Sequence, residues 1–253
     1  MIGFFTTFIH GIVALALFYY WPVWFQAVKG ASPVASAVDF FSVAFIVAPF
    51  AMIAGGSISA TQIYKPQNVI AWVLLSLGPG LMTLLDATSP KKAWVPLPIP
   101  FSIGIGLLYA ATVFPVLAPL PPRLAGHALA FLVFVRSFGN ILGITIGQTV
   151  LANELGQRLP AAWVNSLPGG VSAAYSAIPS IKNLAEPLRS EVRVAFGQSI
   201  RVIWIVLIPF GVIGFIASLF MQQLKLETTT DETFGVKAKK GSDEEQKGAV
   251  SPQ

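Results

Sequence analysis

Cysteine is absent from all 253 residues. Disulfides and thiolate metal sites are therefore excluded, and cysteine usage says nothing about the redox compartment. Charge is scarce: Asp, Glu, Lys and Arg make up 11% of the chain, against about a quarter in a soluble domain. Histidine occurs at His10 and His127, far apart in sequence, a pattern that fits packed or helix-end residues better than a metal site. No Asn-X-Ser/Thr sequon marks an outer loop. Also missing are G-x-S-x-G, H-E-x-x-H, the P-loop and a G-x-G-x-x-G opening a helix after a strand. Gly104-Ile105-Gly106 lies inside an apolar run and reads as packing. The pair Asp39 and Arg136 alone supplies no acid–base machinery, and no second acid or Ser/His set lies at membrane depth. The expectation is a protein that is no enzyme and holds no cofactor and no metal.

What is abundant is apolar. Hydrophobic residues make up 55% of the chain, the composition of an integral membrane protein. The runs are continuous, so barrel-type alternation is absent and each run must be helical to pair its backbone in lipid. The net charge of +5, with basic residues close to apolar runs, fits anionic headgroups rather than nucleic acid. The first run, MIGFFTTFIHGIVALALFYYW, lacks a positive n-region and a small-residue cleavage site, so it reads as a retained helix. Its start at Met1 suggests a truncated or partial gene product.

Spanning needs about 20 mostly apolar residues. Six segments qualify, at about 3–28, 34–58, 68–85, 97–120, 127–151 and 199–221. The predicted fold class is therefore all-α: one six-helix membrane bundle over 1–226. A long loop covers 153–195, and PLRSEVRVAFGQSIR reads as a helix start leading into the last span. Residues 227–253 form a polar tail without apolar content, predicted to be disordered. Lys29-Gly30-Ala31-Ser32-Pro33 is a tight turn. Tyr19, Tyr20, Trp21, Trp24, Trp94 and Trp163 suggest aromatic belts at the membrane surfaces. An even number of spans puts both termini on one side; Lys and Arg counts in the short loops are balanced and leave that side open.

Ionisable groups at membrane depth are costly, about 2.5–3.5 kcal/mol on insertion scales, and tend to face a bundle interior or a cavity. Here they are His10, Asp39 and Arg136, accompanied by the polar Asn140 and Gln148. Gly139, Gly143 and Gly147 form a small-xxx-small stripe. Arg136 and Asn140 share that stripe's helical face by their spacing. A polar head over glycines is an inward face, and Arg136 there either caps groups within the bundle or meets a substrate or a coupling proton.

The phrases FYYWPVWFQAVKGASPVASAVD, LLYAATVFPVLAPLPP and HALAFLVFVRSFGNILGITIGQTVLANEL resemble the C-terminal half of fungal major facilitator superfamily transporters, of the fourteen-span drug:H+ antiporter type. The resemblance runs from about Gly3 to Leu226. It implies two six-helix bundles around a central cavity, cytosolic termini and proton-coupled export of small amphipathic compounds. Tyr19, Tyr20, Gln26, Asp39 and Arg136 match residues recurring in that family. The N-terminal bundle and its basic motif have no counterpart here; SATQIYKPQN does not match that motif. The expected partners are the lipid bilayer, a small-molecule substrate, and an N-terminal bundle or a second copy. The expected location is the plasma membrane, with the vacuole as the other candidate. The rival reading is a non-transporting six-helix scaffold or an inactive fragment.

Overall fold

A computed structural model describes residues 1–226; the tail at 227–253 lies outside the described residues. The helices are α1 Ile2–Lys29, α2 Pro33–Thr61, α3 Lys65–Met82, α4 Lys91–Trp94, α5 Ile99–Ala111, α6 Phe114–Leu117, α7 Ala125–Arg158, α8 Ala161–Val164 and α9 Leu188–Leu219. Three 3-10 turns, Pro122–Leu124, Gly170–Ala173 and Ile178–Asn183, complete the order, with no strand among the described residues. Five stretches are long and apolar enough to cross a membrane: Ile2–Lys29, Pro33–Thr61, Lys91–Leu117, Pro122–Arg158 and Leu188–Leu219. Helix α3 has 18 residues, and Lys65, Gln67 and Asn68 lower the apolarity of its first turn. It packs against α5 and α9, so it completes the bundle without being apolar throughout.

Helix ends follow local chemistry. Gly30 stops α1 in the left-handed region at φ 69°, its N–H returning to the Phe25 carbonyl. Ser32 then caps α2, its hydroxyl accepting from the Ala35 N–H at 3.1 Å, with Pro33 in the first turn. Helix α7 runs on to Arg158, past the end of its apolar span near Leu151. Helix α9 begins at Leu188, at the head of PLRSEVRVAFGQSIR, the stretch that reads as a helix start before the apolar span. Hydropathy ends where charge begins, but the helices continue into the polar layer on local pairs. Glu154 bonds Arg158 one turn on, and Glu186 accepts from the Ser190 N–H at 3.2 Å.

Helix α1 is the hub, packed against α7, α9 and α2, while α5 packs on α2 and α3. Trp21 and Trp24 do not form a surface belt. They are 0% and 1% exposed and stack on each other at 5.0 Å, with Phe25 and Trp94 closing the cluster. Trp94 and Trp163 are buried too. The two glycines of Gly104-Ile105-Gly106 serve separate contacts. A Cβ on Gly104 would stand 2.6 Å from the Leu75 nitrogen of α3, and one on Gly106 2.5 Å from the Val47 carbonyl of α2.

The bundle has two distinct ends. Met1, Tyr64, Pro115 and Gln222 line one cavity of about 280 Å³ at the end holding the N-terminus. At the other, Lys29 donates to the Ala87 and Ser89 carbonyls, each at 2.7 Å. The loop it holds turns on Asp86. Hydrogen bonds from the Thr88 hydroxyl first, and from Ser89, hold the Asp86 carboxyl below the usual carboxylate range. A depressed pKa means the contribution is present above the unfolded value of about 3.9 and is lost as pH falls through the folded one. Amide exchange at Thr88, whose N–H bonds Asp86 at 2.8 Å, should therefore be slow at neutral pH and accelerate in acid beyond its intrinsic rate. Asp86→Asn should abolish that pH dependence.

Candidate functional site

The site begins with a proline. Pro115 has no N–H, so the Ala111 carbonyl, four residues earlier, has no helical donor. The chain adjusts by turning the Val113 N–H back to the Ala110 carbonyl at 3.1 Å, which leaves the Tyr109 carbonyl without a backbone donor too. The expected continuous span at 97–120 is thus broken into α5 and α6. In lipid, freed carbonyls must find side-chain donors on neighbouring helices. Asn68 of α3 donates through Nδ2 to Ala111 at 3.1 Å and to Tyr64 at 3.0 Å. Arg136 of α7 donates through Nη2 to the Tyr109 carbonyl at 3.0 Å and to the Thr112 hydroxyl at 3.1 Å. Thr112 in turn donates to the Leu108 carbonyl at 2.9 Å. Every carbonyl from Leu108 to Ala111 is thereby satisfied.

Aromatic contacts hold the arginine further. Its guanidinium carbon lies 4.4 Å from the centre of the Tyr109 ring, a cation–π arrangement. His10 of α1 meets the same ring edge to face at 6.2 Å. His10 is 1% exposed, and both of its ring nitrogens are buried without a hydrogen-bond partner, as is Arg136 Nε. The ion pairs among the described residues, Arg158–Glu154 and Arg189–Glu186, do not involve Arg136.

The other predicted residues divide between this cluster and the far end. Gly139, Gly143 and Gly147 are buried; a Cβ there would strike the Phe8 carbonyl, the Ile12 carbonyl and the Tyr20 ring of α1. Asn140 lies beside Gly11, where an added Cβ would sit 3.1 Å from its Oδ1. Tyr20 is buried, its hydroxyl donating to the Ile144 carbonyl at 2.9 Å. Gln148 is exposed on α7. Tyr19 is 39% exposed and accepts a hydrogen bond from the Tyr175 hydroxyl of the long loop at 3.0 Å. Desolvation, and then that bond to Tyr19, raise the Tyr175 pKa. Gln26 donates to Ser36 at 3.0 Å and lines a cavity of about 110 Å³ with Ser32 and Lys182. Asp39 is half-buried near the start of α2, with no side-chain hydrogen bond or ion pair among the described residues. Arg136 and Asn140 thus come together, while Asp39, Tyr19 and Gln26 sit toward the Lys29 end. Sequence reasoning did not single out Tyr109, Thr112 or Asn68. The usable signal was Pro115 inside an apolar run, which demands donors for the carbonyls preceding it.

No family model and no solved structure matches the chain. Curated relatives do. "Efflux pump FUS6" of Gibberella fujikuroi is 34% identical over 240 residues, covering 92% of this chain and 43% of its own length. "MFS transporter L2" of a Phoma species is 31% identical over 92% of this chain and 40% of its own length. "MFS-type efflux pump MMF1" of Mycosarcoma maydis is 30% identical over 87% of this chain and 36% of its own length. The chain spans less than half the length of the curated relatives it matches. The same stretch therefore recurs inside longer fungal membrane proteins.

Proposed function

We infer that this chain, a partial major facilitator sequence along nearly all of its length, is the C-terminal bundle of a small-molecule exporter. The carrying observation is the 34% identity over 92% of the chain to a protein named as an efflux pump. Export would proceed by rocking of this bundle against a second one around a midplane site, with a proton gradient as the driving force. The second bundle is an N-terminal half or another copy of this chain, and the membrane is the plasma membrane. The long loop then lies outside, where the Tyr19–Tyr175 contact joins it to α1, and residues 1–226 act as the transporting unit.

Several features support this reading. Helices α2 and α7 are the least buried of the spans, at 11% and 17% against 61% for α1. Both present exposed apolar residues, Phe41, Phe45 and Met52 on α2 and Phe131, Phe134 and Phe138 on α7, that a second bundle would cover. In proteoliposomes holding the purified chain, an outward proton gradient should drive transport of an amphipathic fluorescent dye with substrate-dependent proton flux. No such flux from monomeric or dimeric preparations would overturn transport by this chain and leave the scaffold reading.

A further inference from the structure

The five acidic residues among the described ones are Asp39, Asp86, Glu154, Glu186 and Glu191. All lie toward the Lys29 end: in the first turns of α2, in the loop that Lys29 holds, in the last turns of α7 and at the start of α9. Arg136 lies in the opposite half, about 16 Å along α7 from Ala125 at about 1.5 Å per residue. Among the described residues, that half of the bundle holds no carboxylate to balance it. A membrane-embedded arginine without a counter-ion is expensive, and hydrogen bonds to a carbonyl and a hydroxyl cover only part of its charge.

The donors also remain partly unused. Arg136 Nη2 makes the bonds to Tyr109 and Thr112, and Nε is buried and unpaired. Nη1 makes no hydrogen bond among the described residues, yet it is not among the buried unpaired atoms, so it reaches the bundle surface. The Asn140 amide, one turn along, is in the same position: no side-chain hydrogen bond and not sealed off. Tyr109 is 53% exposed and presents an aromatic surface beside them. Behind its ring stands the buried His10, which packs edge to face on it and fixes its position. The guanidinium and the half-exposed Tyr109 ring lie together, with the Asn140 amide one helical turn along α7 from the arginine.

We propose that Arg136, Asn140 and Tyr109, backed by His10, bind the carboxylate of an amphipathic small molecule, whose apolar body lies along the exposed faces of α2 and α7. The carboxylate supplies the counter-ion that no described residue supplies. It accepts from Arg136 Nη1 in a charge-assisted bond and from the Asn140 amide. The depth of Arg136 excludes a lipid headgroup as the normal occupant, since headgroups stay at the interface, about 15 Å from the midplane. The proposal rests on the exporter reading for what happens next, but the binding step stands by itself.

The test uses the full chain in phosphatidylcholine nanodiscs, with 11-(dansylamino)undecanoic acid and its methyl ester as probes and empty nanodiscs for the partition background. The acid should bind at least tenfold tighter than the ester. Arg136→Gln should bring the ratio to about one, and Asn140→Asp should weaken the acid alone by placing a second negative charge beside it. Equal binding of acid and ester by the unaltered chain, or binding of neither, overturns the proposal, as does a preference that survives Arg136→Gln. Adding phosphatidylserine should leave acid binding unchanged; competition by that lipid would assign the site to a headgroup and also overturn it. Acid that binds selectively but is not exported would leave this site standing and remove the exporter reading. Export with equal binding of both probes would do the reverse.

Discussion

Replacing Gly143 with leucine is expected to leave no folded bundle. A Cβ at this position meets the carbonyl oxygen, the carbonyl carbon and the Cα of Ile12, all backbone atoms that cannot rotate aside. The only relief is separation of α1 from α7. That separation would break the bond from Tyr20 to the Ile144 carbonyl and lift the ring that fills the space over Gly147. It would also disturb α9, which packs on both helices. Overpacking by one methyl costs about 1–3 kcal/mol; three further carbons should take the loss past about 4 kcal/mol, the range where single substitutions unfold proteins. Without cysteine for a thiol probe, the readout is the emission of buried Trp21 and Trp24 during thermal unfolding in detergent, together with elution volume. Gly56→Leu is the control, because nothing lies within 4 Å of a Cβ there. A Gly143→Leu chain that unfolds at the same temperature as the Gly56→Leu chain would remove the close-packing account.

That stripe was legible because helical spacing alone puts Gly139, Gly143 and Gly147 on one face. The same spacing turns Gln148 away: it follows Gly147 by one residue, about 100° around the helix, and it is exposed. The membrane class and the all-helical bundle were legible from the length and purity of the apolar runs. The chemistry of the Gly30–Pro33 turn was legible because glycine, serine and proline each have a local role. What sequence could not give was the partner of each face. Trp21 and Trp24 near a span end satisfy an interfacial belt and a buried stack equally well, and only the arrival of Trp94 from α4 against Phe25 decides. The Arg136 contact joins residues 24 and 27 positions apart on different helices. Periodicity says which way a side chain points and says nothing of which helix waits there. The break after Ala111 was legible as a kink, because Pro115 sits inside an apolar run; the donors that answer it were not, since hydropathy passes smoothly through the proline and names no partner.

The ladder itself can be tested with three substitutions. Arg136→Leu leaves the Tyr109 carbonyl without a donor, and Asn68→Leu does the same to Ala111. The buried Ala111 carbonyl, left unpaired, should cost about 1–3 kcal/mol, and the exposed Tyr109 carbonyl less. The two residues serve different carbonyls from different helices, so their losses should add to within about 0.5 kcal/mol. Pro115→Ala is expected to relieve both. It returns an N–H to the chain, lets residues 113–115 bond back to Tyr109, Ala110 and Ala111, and makes the side-chain donors redundant. In a Pro115→Ala background, Arg136→Leu and Asn68→Leu should then each lose less than about half of what they lose alone, measured as coupling in a double-mutant cycle by thermal unfolding. Undiminished losses would mean that the two side chains act on something other than the broken helix. The same background separates capping from any role with substrate. Stability restored in the Pro115→Ala/Arg136→Leu chain, with selective carboxylate binding still absent, would assign the arginine two duties: one hydrogen-bonding nitrogen for the carbonyl that Pro115 strands, and another for a ligand.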